Sequence, residues 1–364
     1  MRILIYLSHP AQYLFLRETI NRLSSEGIKL KILIKTKDVL ENLLRHDRQP
    51  FTNILGKQRD NSRLSIFISL LKRIYMVYYQ TLKFRPNIML GTDASIAIVG
   101  KMLHIHRITI IEDDYEAIKL LGILTYPFTE TILCPKVCKV GKWEYKKVGY
   151  DGYMKLGYLH PNIFKPKKEY LKYYNLPSKY AIIRLSGLEA YHDKGIDGIN
   201  YNFLNQIILT LQNLECHIFI SSETKINANY KKYLLKINPN DMQQVLAHST
   251  VLISDSQSMS VEASLLGIPS IRISSFVGRI SVLEELEHRY QLTYGIDPKY
   301  PEKVIKKLKE ILSNKNIKPI FSKRRHQMIK DKIDVSSFLV WFLKTYPKST
   351  QTISKNPQYP SKFR

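Results

Sequence analysis

Cysteine is scarce: three residues in 364, Cys134, Cys138 and Cys216. Their spacing fits neither a zinc pair nor a redox pair, so no metal site is expected and a reducing, cytoplasmic setting is. Also missing is any apolar run approaching the ~18 to 20 residues of a membrane span. The opening MRILIYLSHPAQYLF has too short an apolar stretch and too little charge for a secretory leader, and it reads as the first strand of a fold. No G-x-G-x-x-G follows that strand, so neither NAD nor FAD is indicated and no cofactor is expected. Acid is in short supply too: 31 Asp and Glu face 56 Lys and Arg, a net charge of +25. Such an excess attracts nucleic acid, anionic lipid or polyphosphate ligands. Because the bases are spread along the chain, with no RNA-binding signature or zinc finger, nucleic acid is not an expected partner. A proteome rich in Lys, Ile and Asn would tint any sequence the same way.

What is present is a repeated alternation of short apolar runs and helical periodicity, in a chain long enough for two domains. RILIYL (2–7), a helix from about Gln12 to Ser25 with Leu14, Leu16, Ile20 and Leu23 inward, and KLKILI (29–34) form a strand, helix, strand unit. The pattern recurs with strand 88–90, helix 94–103 and strand 107–111, and later with strand 180–185, a helix at about 198–213 and strand 216–220. Doubly wound parallel sheets follow, with ligands expected at the carboxyl ends of the strands. Residues 148–166 are rich in Gly, Tyr and Pro and suit a crossover between domains. The expected division is an N-terminal domain 1–165 joined by a C-terminal helix 335–346, a second domain 166–333, and a basic, disordered tail 347–364.

Residues 62–85, SRLSIFISLLKRIYMVYYQTLKFR, form one long helical pattern carrying Arg63, Lys72, Arg73, Lys83 and Arg85 and no acid. A basic, aromatic, amphipathic helix of this kind suits either a packed position in the domain or the surface of an anionic bilayer.

The stretch from Thr250 to Ile273, TVLISDSQSMSVEASLLGIPSIRI, reads as strand, polar loop, helix and strand. Its loop sets Ser256, Gln257 and Ser258 at a helix N-terminus, where unpaired N–H groups and the helix dipole favour an anion such as a diphosphate. Glu262, about one turn on, is suited to accept hydrogen bonds from a ribose diol. The same residues also read as a capped helix with Glu262 in solvent. Elsewhere His9 stands at the end of the first strand, and Glu112-Asp113-Asp114-Tyr115-Glu116 crowds acids at the end of another. Asp114 and Glu116 are candidates for a general base whose pKa like-charge crowding would raise, or for acids of a solvated loop. Ser186 and His192 lie in a long polar loop and are placed to meet a diphosphate or to bond within the loop. Arg279 follows the strand after the cradle and reaches the ligand if the segment 274–279 closes over it.

Ser254-Asp255-Ser256, Glu262-Ala263 and Gly267-x-Pro269 resemble the nucleotide-sugar half of glycosyltransferase-B proteins, including the muramyl-peptide N-acetylglucosaminyltransferase and the non-hydrolysing UDP-N-acetylglucosamine 2-epimerase. SHPAQYLF, IIEDDYEA, YDGYMKLGYLHPNIFKP and YAIIRLSGLEAYHDKG extend the likeness to an uncharacterised glycosyltransferase-B-like family of surface-carbohydrate loci, from residue 3 to about 290. The resemblance implies two facing Rossmann-like domains with a cleft between them, a UDP-sugar as substrate, a diphosphate held by the small-residue loop and a ribose held by Glu262. It also implies a metal-independent transferase acting on a glycan or lipid-linked acceptor at the inner face of the membrane. An epimerase, a nucleotide-sugar hydrolase or a non-catalytic binding subunit are its alternatives. This chain departs from the pattern at Lys155, where an acid is common, and at Ser256-Gln257-Ser258, where Gly-Gly-Thr is common. Asp114 and Ile118 also replace the His and Gly of the epimerase's His-x-Glu-Ala-Gly.

Overall fold

In a computed structural model the apolar runs become parallel strands buried on both faces, which is why they read as continuous rather than alternating. The structure describes residues 1–36, 39–55, 63–186 and 198–364, without the side chains of 63–67. The chain divides into two compact units, one of Met1–Tyr158 with Lys332–Arg364 and one of Leu159–Asp331.

The first unit holds seven strands: β1 (Arg2–Leu7), β2 (Lys29–Lys35), β3 (Phe51–Leu55), β4 (Ile88–Gly91), β5 (His106–Ile110), β6 (Thr131–Pro135) and β7 (Lys147–Tyr150). They lie in the order β3-β2-β1-β4-β5-β6-β7. The order reverses between β1 and β4, which opens a crevice at their carboxyl ends. The helix Pro10–Ser25 starts at His9, whose side chain caps it, and carries proline in its first turn, where a missing N–H costs nothing. It buries Tyr13, Phe15, Leu16, Ile20 and Leu23, and it packs on the C-terminal helix Val335–Lys344. Arg22 donates to Ser337 Oγ across that contact at 2.8 Å.

The Gly- and Tyr-rich stretch that suits a crossover contains the division between the two units, after Tyr158, and is tightly packed. Tyr150, Tyr153 and Leu156 have no exposed surface. A Cβ on Gly157 would stand 2.5 Å from the carbonyl oxygen of Phe15, so glycine serves close backbone approach there. The tail expected to be disordered differs from that expectation: it forms a helix, Lys348–Lys355, and a 3-10 turn, Tyr359–Phe363. Tyr359 stacks on Trp341 with ring centroids 4.7 Å apart, and Phe363 meets Phe338 edge to face. Counting charge hid the apolar surface that Ile353, Tyr359 and Phe363 bring.

The second unit holds β8 (Tyr180–Leu185), β9 (His217–Ser222), β10 (Val251–Ser254), β11 (Ser270–Ile273) and β12 (Thr293–Ile296), ordered β12-β11-β10-β8-β9. Here the order reverses between β8 and β10. Its core joins Ile183, Ile253 and Ile271 of the sheet to Phe203, Ile207 and Leu211 of the helix Tyr201–Asn213, and to Leu308 and Ile311 of the helix Pro301–Ser313. Each unit is thus a Rossmann-like layer of parallel strands with helices on it.

Candidate functional site

Backbone geometry makes the carboxyl edge of the second sheet the natural ligand site, because two adjacent loops diverge where the strand order reverses. β8 and β10 pair in register from Val251 with Ala181 to Ser254 with Arg184, so both strands end at the same level. From β10 the chain turns through Asp255 and Ser256 into the helix Gln257–Leu266. Ser254 Oγ accepts the N–H of Ser256 at 2.8 Å, and Ser256 caps the helix by accepting from Met259 N at 3.4 Å. The N–H groups of Gln257 and Ser258 precede the first intrahelical bond, from Ser260 N to Ser256 O. Ser258 is exposed at this end.

Gln257 plays a different part from the one its position suggests. Its amide donates to Ser274 Oγ at 2.8 Å and accepts from Arg272 Nη1 at 3.0 Å, so the side chain is committed within the protein. Glu262 is buried at 6% exposure and engaged within the protein, which removes the solvated reading of it. Ser186 sits at the end of β8, where its N–H donates to Asp255 Oδ1 at 2.7 Å. His192 lies outside the described residues. Arg279 is exposed on the segment after β11, with its guanidinium 5.1 Å from the Phe276 ring.

Asp255 is the residue whose role the sequence concealed. Burial pushes its carboxyl above the usual aspartate range, opposed by the N–H groups of Ser186 and Ile199, which favour the charged form. One carboxylate thereby ties the end of β8 to the approach of the helix Tyr201–Asn213. Since the folded protein binds this proton more tightly than the unfolded chain, stability falls as pH rises from the ordinary aspartate range through the raised folded value. In urea titrations across that window, Asp255→Asn is expected to flatten the decline, because an amide has no proton to lose. An unchanged slope would place the ionisation elsewhere.

Beside these residues lies a cavity of about 530 Å³, lined by Leu185, Ser186, Asn200, Tyr201, Ser222, Lys225, Asp255 and Lys299. Its size suits a small ligand, and Lys225 and Lys299 are exposed cations at its wall. Arg184, at the end of β8, donates to Ser221 Oγ and pairs with Glu223.

In the first unit the crevice between β1 and β4 is nearly closed, with about 10 Å³ among residues that include Tyr6, Phe15, Gly91 and Met154. Gln12 closes it, accepting from Ser8 N at 2.8 Å and donating to Thr92 Oγ1 at 2.5 Å. His9 is exposed at the same edge, and its Nδ1 accepts from Ala11 N at 3.2 Å. With Nδ1 accepting that bond, the neutral ring carries its proton on Nε2.

Three of the acids after β5 each take a separate partner. Glu112 accepts from Met154 N at 2.5 Å and pairs with Lys155 at 2.6 Å, both side chains being largely buried. Asp114 is buried and accepts from Lys139 N at 2.7 Å. Glu116 points outward and pairs with Lys119 at 3.2 Å. Lys155, a departure from the expected acid, therefore has a partner in Glu112. A lone basic residue at a position that usually carries acid, with a spare acid upstream, is the signal that foretells such a pair.

No protein-family model matches the chain, and no curated protein sequence does. Solved structures do match in fold. The UDP-GlcNAc 2-epimerase of Neisseria meningitidis bound to UDP-GlcNAc is 13% identical, with TM-score 0.65 over 94% of this chain and 99% of that one. The UDP-GlcNAc 2-epimerase of Methanocaldococcus jannaschii is 15% identical, with TM-score 0.62 over 86% and 94%. The spinosyn forosaminyltransferase is 13% identical, with TM-score 0.59 over 93% and 99%. The fold is thus that of the UDP-GlcNAc 2-epimerases and glycosyltransferase-B enzymes.

Proposed function

We propose that the chain is a nucleotide-sugar enzyme whose second unit holds the nucleotide diphosphate, and that it transfers the sugar to a surface polysaccharide or glycolipid acceptor without a metal. The observation that carries the reading is the N-terminus of the helix Gln257–Leu266 at the reversal of strand order, beside Ser186 and the 530 Å³ cavity. The backbone N–H groups of Gln257 and Ser258 and the hydroxyl of Ser258 meet the diphosphate, and the helix dipole favours its growing charge as the nucleotide leaves. Ser186, His192 and Arg279 complete the donor side, and Glu262 accepts from the ribose. Solved neighbours described with UDP-GlcNAc and UDP support a uridine diphosphate sugar as the donor. On the first unit His9 contacts the transferring sugar or its acceptor. The proton of the acceptor hydroxyl goes to Glu116, the exposed acid of the cluster, while Asp114 holds the loop in place.

An epimerase or hydrolase is the second reading, favoured by the several 2-epimerases among the structures of like fold. A panel of UDP-, GDP-, CDP- and dTDP-sugars, offered alone and then with membrane extract, separates the two. Transfer requires nucleotide release only with extract and sugar recovered in lipid or glycan. Isomerised or hydrolysed sugar without extract replaces transfer by the second reading, and thermal stabilisation without turnover leaves a binding subunit.

Glu262→Ala is expected to weaken UDP-sugar binding by roughly tenfold to a hundredfold, the worth of hydrogen bonds to a charged group. Glu116→Gln should keep that affinity and lose turnover. Calorimetric titration beside a release assay checks both, and equal affinity in Glu262→Ala removes it from the nucleotide site.

A further inference from the structure

The helix Arg63–Phe84 packs one side into the first unit's core through Val77, Ile74, Tyr78 and Phe84. The opposite side is exposed and apolar. Ile68, Leu71, Tyr75, Tyr79 and Leu82 recur at intervals of three and four, so they share one face, and Tyr75 is 68% exposed. At 1.5 Å per residue the stripe runs about 21 Å. Lys72 and Lys83 are exposed along it, with Lys83 Nζ 4.3 Å from the Tyr79 ring centroid. From Asn61 to Thr92 there is no acidic residue. Arg73, the cation on the buried side, is neutralised by Asp93 at 3.3 Å, whereas Lys72 and Lys83 face outward on a helix that carries no acid.

We infer that this face docks on an anionic lipid bilayer, lying in the interface with its aromatic and aliphatic side chains inserted and Lys72 and Lys83 among the headgroups. No helix among the described residues is long and apolar enough to cross a membrane, which leaves contact parallel to the surface. Charge complementarity selects the occupant. A second copy brought to this face by a twofold axis would oppose lysine with lysine and supply no acid, whereas an anionic leaflet supplies the charge that the face lacks. The inference goes beyond the proposed nucleotide-sugar chemistry and is tested without it.

The test is co-sedimentation of the full chain, without nucleotide, with vesicles of phosphatidylcholine alone and of phosphatidylcholine containing phosphatidylglycerol. Binding is expected only to the second, weakening with salt. Leu71→Ser with Tyr75→Ser should lower it about tenfold or more for each side chain withdrawn. Lys72→Gln with Lys83→Gln should lower it about fivefold per lysine. Thermal unfolding of all variants should match the parent, since the replaced side chains are exposed. Equal binding to neutral vesicles, or none to anionic ones at low salt, overturns the inference. A dimer in light scattering that Leu71→Ser with Tyr75→Ser dissociates, without vesicle binding, overturns it in favour of a second copy.

Discussion

Arg272→Met is expected to lower the unfolding free energy by about 3 kcal/mol in urea titration, more than other single polar substitutions in the second unit. Arg272 lies in β11 with no exposed surface, and its guanidinium meets Glu284 at 3.3 Å, Glu287 at 3.4 Å and Gln257 Oε1 at 3.0 Å. Removing it leaves two partly buried carboxylates facing an apolar side chain. The cost sits at the lower end of the range for broken buried pairs because Glu284 and Glu287 keep some solvent, with side-chain exposures of 26% and 17%. They also retain the N–H groups of Gly278 and Gly295. Adding Glu287→Gln to Arg272→Met should recover a good part of the loss, since the second substitution removes a charge that the first stranded. Arg272→Lys should fall between, because an ammonium cannot fork to both carboxylates and Gln257. Additive losses in the double variant would show that the pair is not energetically coupled. Since Gln257 opens the cradle helix, Arg272→Met should also weaken UDP-sugar binding in the folded protein.

Arg272 illustrates what a sequence hides. Its carboxylate partners follow 12 and 15 residues later, Glu284 at the end of the short helix Ser281–Glu284 and Glu287 in the π-helical turn Glu285–Arg289, and a pairing that spans such a loop has no period to detect. Where a short apolar run is buried throughout and bounded by turn residues, the reading is direct: Val251–Ser254, Gln257–Leu266 and Ser270–Ile273 form the strand, helix and strand expected of that stretch. The edge strands β3, β7 and β12 carried no such signal. Each is four or five residues long, and β7 and β12 contain a glycine. The helix Ile317–Asp331 has little periodic signal because Phe321 and Met328 are its only buried residues. Within the candidate site, residue types point to a helix N-terminus, and the helix starts at Ser256. What they left open was the direction of each side chain. Asp255 and Gln257 turn inward to bind loops together, and the acids after β5 separate toward Lys155, Lys139 N and Lys119. Direction depends on neighbours from distant sequence, so periodicity is silent on it.

Ser258→Asp is the substitution that sets stability and binding against each other. Ser258 occupies the second position of the helix Gln257–Leu266 and is exposed. An aspartate there complements the helix dipole and should raise stability by about 0.3 to 1 kcal/mol. If the diphosphate sits at this helix end, the new charge lies about 5 Å from it. At an effective dielectric of about 20 each opposed pair of unit charges then costs roughly 3 kcal/mol, more than a hundredfold in affinity. Ser258→Ala removes only one neutral donor and should cost tenfold or less. Thermal unfolding with and without UDP-sugar reads both quantities in one experiment. The expected result is an aspartate variant that melts at or above the parent when alone and gains no stability from ligand. A variant that melts higher and still binds UDP-sugar as tightly as the parent would remove the diphosphate from this helix. The cavity beside Asn200 and Lys225 would then be the place to seek it.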